Sequence, residues 1–432
     1  MKVLGKILLW LLMVALFVAL VVGGTLWYFY AHADPGDAAA RPLTVQLSAG
    51  GGQDTALAPS VWRLRVPVLG GVLWRTQSGG AGGEGQRFAW NSAQMPSLTL
   101  PDGVSEATVE VSSAAGKVFS GTAAEFAAWS CAGNGNYYVS AEAVLPAAAD
   151  GERPAAYGTL DYKFTLAVSV TMTASASDDR VQQGAVVAVR LTNDLDGIRP
   201  TGESKLGPVN FIPAETANSW VAYVPVAYNR ETGDYTIDVA CGNFTASLPV
   251  AVEYVPYEKK NYTDASQLPD AADDESAAAV KAYRSAIWPL YDTSRPQKLW
   301  QGYFAAPVDG LVKFQFGVGS LLPGDTVSRR HTGIDYTPAS GSAPVTAPAA
   351  GEVVFAGELA LTGNTVVLEH GGGVKSYLYH LTTLAVKGGQ TVEKGQQLGT
   401  LEAPAALHYE IKIGSQSVDP GPVLAGRGGL YQ

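Results

Sequence analysis

Residues 329–338 read RRHTGIDYTP and set a histidine and an aspartate, His331 and Asp335, four positions apart before the run stops at Pro338. The chain has 5 histidines in 432 residues, so the interval asks for an explanation. Side chains at i and i+4 share a face in a strand and on a helix alike. The two groups therefore converge on either backbone, and Gly333 with Pro338 favours an extended or looped one. A third group follows in ALHYEI. There a period of two places Ala406, His408 and Glu410 on one face and Leu407, Tyr409 and Ile411 on the other. Two histidines and one carboxylate suit zinc, and three protein ligands leave a fourth position for water, as in catalytic rather than structural zinc sites. An H-x-x-x-D pair alone is a weak signal, more often an exposed pair than two ligands. Its surroundings decide.

Working outward, the composition is that of a folded, turn-rich β protein: 47% apolar, 16% charged, 49 Gly and 25 Pro. The length suggests two to four domains. A formal net charge of −10, with no lysine- or arginine-rich block, argues against a nucleic-acid partner. The two cysteines, Cys131 and Cys241, follow no zinc-finger spacing; in an exported chain they either pair or remain thiols.

The N-terminus reads MKVLGK and then runs from Ile7 to Tyr30 without a charge, ending in TLWYFY. A helix needs about 20 apolar residues to span a bilayer, and the aromatic cluster suits its exit. Lys2 and Lys6 keep the short end in the cytoplasm and place the rest outside. Ala31 and Ala33 offer an A-x-A-like cleavage site, but the run exceeds a signal-peptide core of roughly 7–15 residues, which favours an uncleaved anchor. The expected location is the cell membrane, single-pass, with the C-terminal region extracellular.

From Leu43 to Val252, segments such as GTLDYKFTLAVSV, GAVVAVRLTN and SWVAYVPVAYN read as short strands between turns. GNYYVSAEAV and GDYTIDVACG each begin Gly-x-Tyr, resembling the tyrosine corner of immunoglobulin-like sandwiches, with Tyr137 and Tyr235 in the corner role. Val139 and Ile237 stand where antibody domains carry a disulfide cysteine, implying an apolar core without that bridge. The alanine-rich DESAAAVKAYRSAIW has an acidic start and later basic residues, as a short helix would, inside a polar connector.

HTGIDYTP, APAAGEVVFAG, GNTVVLEHGGGVKSYLYHL, VKGGQTVEKGQQLG and LHYEI follow in order across residues 300–422. Together they closely resemble the lysostaphin-like (LytM-type) zinc metalloendopeptidases, which cut peptidoglycan peptides. That resemblance implies Zn2+ held by His331, Asp335 and His408, with His380 of LYHL assisting catalysis. Two departures stand out. Leu378 replaces the family's tyrosine in its Y-x-H segment, and Ala406 replaces the first histidine of its H-x-H motif, beside a shortened loop GTLEAPAA. Glu402 is one candidate to take over that role.

The fold class expected is mainly β. A cytoplasmic tip (1–6) and transmembrane anchor (7–30) precede two immunoglobulin-like β-sandwich domains (43–168 and 169–254). A linker with a short helix (255–299) leads to a β-rich peptidase domain of the hybrid-barrel, duplicated-hybrid-motif type (300–422). The function implied is a membrane-anchored extracellular endopeptidase with peptidoglycan peptides as partners. The alternative is an impaired pseudo-peptidase that binds wall peptides or regulates another hydrolase, because of Ala406. A biotinyl or lipoyl carrier shares the hairpin pattern, but PAALHYE offers no acceptor lysine at the turn. His370 in EHGGG reads as part of a hairpin turn and His32 as a membrane-boundary residue.

Overall fold

A computed structural model describes residues 2–80, 85–268 and 275–431. It is mainly β and divides into two compact units, residues 1–171 and 172–432.

The first unit opens with the helix Lys2–Ala31, whose window of highest hydropathy has no buried side chains. Seven strands then form one sheet, centred on Tyr157–Val168. That strand runs antiparallel to Gly135–Leu145 and to Val61–Val68, and parallel to Gln86–Trp90. In Gly135–Leu145 the buried residues are Tyr137, Val139, Ala141, Ala143 and Leu145, the two-residue period of a strand with one face on a core. The Tyr137 hydroxyl donates to the Gly133 carbonyl at 2.8 Å.

The second unit begins with two four-stranded sheets, the first built from Thr173–Ala176, Val186–Thr192, Trp220–Pro225 and Ile212–Pro213. The second holds Arg180–Gln182, Phe244–Glu253, Gly233–Cys241 and Thr201–Ser204. Val187, Val189, Leu191, Val224, Ile237 and Val239 form their common core. Tyr235 repeats the Tyr137 contact, its hydroxyl donating to the Glu231 carbonyl at 2.8 Å. Cys131 and Cys241 are both buried, free thiols.

The continuous apolar runs of Val186–Thr192 and Trp220–Pro225 reflect burial on both faces. The faces turned away from the sandwich core, with Val186, Ala188, Val221 and Tyr223, join Trp300, Phe304 and Ile334 in a single larger core. Tyr223 and Trp300 meet at 5.2 Å between ring centroids. Residues 172–254 and 300–432 are thus bonded by one apolar interior.

The largest sheet runs in the order Gly310–Phe314, Ile334–Pro338, Leu407–Ile413, Val374–Leu381, Gly363–Gly371, Gly351–Leu359 and Thr391–Val392, with Gln416–Val418 beside Leu407–Ile413. A three-stranded sheet of Ser342–Thr346, Gln397–Glu402 and Thr383–Leu384 accompanies it. Leu407, Tyr409, Ile411, Ile334, Tyr336 and Leu378 point into the larger core. Their alternating neighbours Asp335, His408 and Glu410 therefore project from the opposite face.

The polar connector is packed rather than loose. Lys259–Asn261 adds as a parallel strand to Gly319–Leu321. The helix Ala277–Tyr291 starts at Ser276, whose hydroxyl accepts from the Ala279 N–H at 3.2 Å. Tyr283, Ile287 and Tyr291, spaced by four, form one stripe that packs on Tyr377, Tyr379 and Val367 of the large sheet. Asp274, part of the expected acidic start, lies outside the described residues.

Candidate metal centre

The strand Ile334–Pro338 pairs with Leu407–Ile413 so that Asp335 lies opposite His408. His331 reaches the same point from the segment just before that strand, its backbone N–H donating to the Val318 carbonyl at 3.0 Å. Gly333 makes the approach feasible. A Cβ there would come within 2.3 Å of the Tyr409 carbonyl oxygen and 2.9 Å of a His408 ring carbon.

The three groups converge. His331 Nε2 lies 2.9 Å from Asp335 Oδ1, His408 Nδ1 lies 2.7 Å from the same oxygen, and the two ring nitrogens are 3.1 Å apart. All three residues are buried. Each histidine is tied on its far side: His331 Nδ1 to the Gln315 carbonyl at 2.8 Å, and His408 Nε2 to Glu410 Oε1 at 3.0 Å. Those acceptors assign the N–H to the outer nitrogens, so two imidazole lone pairs and a carboxylate oxygen face one another. Such a set is repulsive when empty of positive charge and suits a cation. Partners on the outer nitrogens are the usual way proteins orient metal-binding histidines. His331, Asp335 and His408 thus fit a metal ion by donor chemistry as well as by position.

Electrostatics agree. Burial would raise the Asp335 carboxyl, but the two histidines packed against it outweigh that and hold the carboxyl below its usual range. Burial acts likewise on Glu410, and the neighbouring Lys412 ammonium together with the His408 bond holds its carboxyl down at about 2. Thr332 donates to Glu410, Lys412 forms an ion pair with it, and the Ser417 hydroxyl lies 3.2 Å from its other oxygen. A buried anion with this many partners is a fixed acceptor for His408.

His380 stands outside the trio, on the neighbouring strand. Its residue Tyr379 pairs with His408 in the ladder and stacks on that ring at 5.7 Å between centroids. His380 has a left-handed backbone, φ 62°, at an irregularity in the pairing between Leu378 and Leu381. Its N–H donates to the Thr362 carbonyl at 3.0 Å. Leu378 faces the core, so the aromatic residue of this segment meets the face of the His-Asp-His cluster from position 379 instead. Ala406 is half-buried just before Leu407–Ile413, and Glu402 is exposed at the end of the smaller sheet. His370 is fully buried in the strand Gly363–Gly371, at the edge of the hairpin turn expected there.

The network around Glu410 and the Tyr283–Tyr379 pair, hydroxyls 3.1 Å apart, are additions to the residues found by sequence reasoning. The alternation in ALHYEI had already put Glu410 on the His408 face; no comparable signal tied Tyr283 to the site.

Residues 329–420, which carry the buried His-Asp-His cluster, match Peptidase family M23. The chain carries a Peptidase M23 domain over those residues. It is 37% identical over 97 residues to the DD-carboxypeptidase/endopeptidase Mpg of Neisseria meningitidis, a match covering 21% of this chain and 22% of that protein. It is also 32% identical over 133 residues to the murein hydrolase activator NlpD of Salmonella dublin, covering 30% and 32%. The chain thus spans about a fifth to a third of the length of these relatives. A crystal structure of an M23 peptidase from Pseudomonas aeruginosa aligns with a TM-score of 0.41 and 24% identity, covering 57% of this chain and 95% of that one.

Proposed function

We propose that this protein is a zinc metalloendopeptidase that hydrolyses peptide bonds of peptidoglycan outside the membrane to which its N-terminal helix anchors it. The observation that carries the reading is the convergence of His331 Nε2, His408 Nδ1 and Asp335 Oδ1 with both outer ring nitrogens already engaged. When bound, zinc lowers the pKa of its water towards about 7 and polarises a scissile carbonyl. His331, Asp335 and His408 would hold it, while the Gln315 carbonyl and Glu410 engage the outer nitrogen of each imidazole and keep the rings correctly turned. His380 takes the proton-handling role at its imidazole. With Ala406 in place of a second histidine, a contribution typically worth 10²–10⁴-fold rests on that one group. The name of the Neisseria relative, an endopeptidase, supports this reading.

Residues 43–168 and 169–254 are read as immunoglobulin-like. Because residues 172–254 share a core with the peptidase domain, a spacing role falls to 43–168.

A second reading, a regulator of another hydrolase, is favoured by Ala406 and by similarity to a murein hydrolase activator. The test is release of new amino groups from purified peptidoglycan by the full chain in detergent, with zinc, with chelator, and with His331→Ala. Chelator-sensitive release that the variant lacks is the expected outcome. Folded, zinc-retaining protein that releases nothing across several wall chemistries would select the regulatory reading.

A further inference from the structure

The large sheet ends in the strand Gly310–Phe314, whose last residue pairs with Asp335 and so shares the metal-bearing face. The Phe314 ring lies edge-on to the His331 ring at 6.1 Å. Two ammonium groups lie over that phenyl ring: Lys313 Nζ at 5.5 Å from its centroid and Lys260 Nζ at 6.0 Å. They arrive by different routes. Lys313 falls at a register shift between Val312 and Phe314, the kind of bulge that re-aims a side chain beside an active site. Lys260 comes from the connector strand added beside Gly319–Leu321. Glu258 lies 3.5 Å from Lys260, with the two side chains 63% and 41% exposed, so solvent weakens that pair. In a chain of formal net charge −10, two cations held on one ring next to the metal trio are a local reversal of sign. Two ammonium groups beside one ring favour an anion next to them, and the phenyl face helps to hold them there.

We propose that Lys260 and Lys313, both over the Phe314 ring, form a subsite for a substrate carboxylate, so that the site prefers acidic peptides with a free carboxylate close to the scissile bond. This rests on the endopeptidase reading and names its substrate class. The carboxylate is supplied either by a side chain or by a chain terminus, and the anion requirement is the same for both.

The test uses the full chain in detergent, loaded with zinc, and a soluble peptidoglycan stem peptide in four forms: free acid, amidated at its side-chain carboxylate, amidated at its C-terminus, and amidated at both. Binding is read by calorimetry and turnover by amino-group release, with Lys260→Met/Lys313→Met compared with Lys260→Arg/Lys313→Arg. Wild type is expected to bind the free acid up to about tenfold more tightly than the doubly amidated form, in proportion to two screened charge contacts. Raising salt shrinks that gap. The methionine variant loses the gap and the arginine variant keeps it. The singly amidated forms show which carboxylate is read. Equal binding of acid and amide by wild type overturns the proposal, as does tighter binding of a glycerol-phosphate polymer than of the acidic peptide. A preserved acid preference without turnover upholds the subsite while removing the endopeptidase reading.

Discussion

Two faces of the large sheet use histidine in opposite ways. On the core face His370 is fully buried, and both of its ring nitrogens are engaged, Nδ1 with the Ala350 carbonyl and Nε2 with the Ser376 hydroxyl, each at 2.8 Å. On the other face His331 and His408 each spend one nitrogen on a fixed acceptor and turn the second towards Asp335 and each other. Burial alone does not separate the two kinds of histidine. What separates them is the destination of the second nitrogen: a hydroxyl that can donate in return, or other acceptors that need a cation among them.

The largest test of that contrast is His331→Ala. It should weaken zinc binding more than about 100-fold, because the ~10–16 kcal/mol of a zinc site is shared among few ligands; metal content after dialysis reads it. His370→Gln should leave metal content unchanged, and retained zinc in the first variant or lost zinc in the second would break the comparison.

Next comes pH. Burial drives the His370 pKa down from 6.5 to about 4, with the Ala350 bond opposing and the Lys375 charge adding to it. A histidine depressed in the folded state binds its proton more readily when unfolded. Its contribution is therefore complete above about pH 6.5 and is lost progressively as pH falls towards 4, by about 3 kcal/mol in all. Denaturant titrations of wild type and His370→Gln across that window should diverge, with the wild type falling more steeply. Parallel slopes would mean that His370 does not stay neutral on folding.

The finest test is Glu410→Gln. It keeps the shape but removes the charge that accepts from His408, and loss of such a partner commonly costs 10–100-fold in metal affinity. A competition titration with a coloured chelator would resolve that range, and unchanged affinity would make the outer acceptor irrelevant.

The clustering of His331, Asp335 and His408 was legible because its signal is local: H-x-x-x-D within one segment and a two-residue alternation in ALHYEI. Glu410 was legible for the same reason. Tyr379 was not, since the left-handed backbone at His380 and the broken register beside it interrupt the alternation by which a face is read. The packing of the connector was hidden by its polar composition, although the spacing of Tyr283, Ile287 and Tyr291 carries a helical stripe. The double burial of Val186–Thr192 and Trp220–Pro225 is written in their unbroken apolar runs, but such runs do not say what lies on the second side.

That second side sets where the protein can be divided. A cut at residue 300 would leave Val186, Ala188, Ile212, Val221 and Tyr223 facing water on one fragment and strip Trp300 and Phe304 of their cover on the other. The C-terminal tail is stitched across the same seam, with the Trp300 indole N–H donating to the Leu430 carbonyl at 3.3 Å and Gly429 set against the backbone of Val186–Ala188. A cut that leaves this core whole therefore falls near Met172 rather than near residue 300, and truncations that divide residues 172–432 trade length for aggregation.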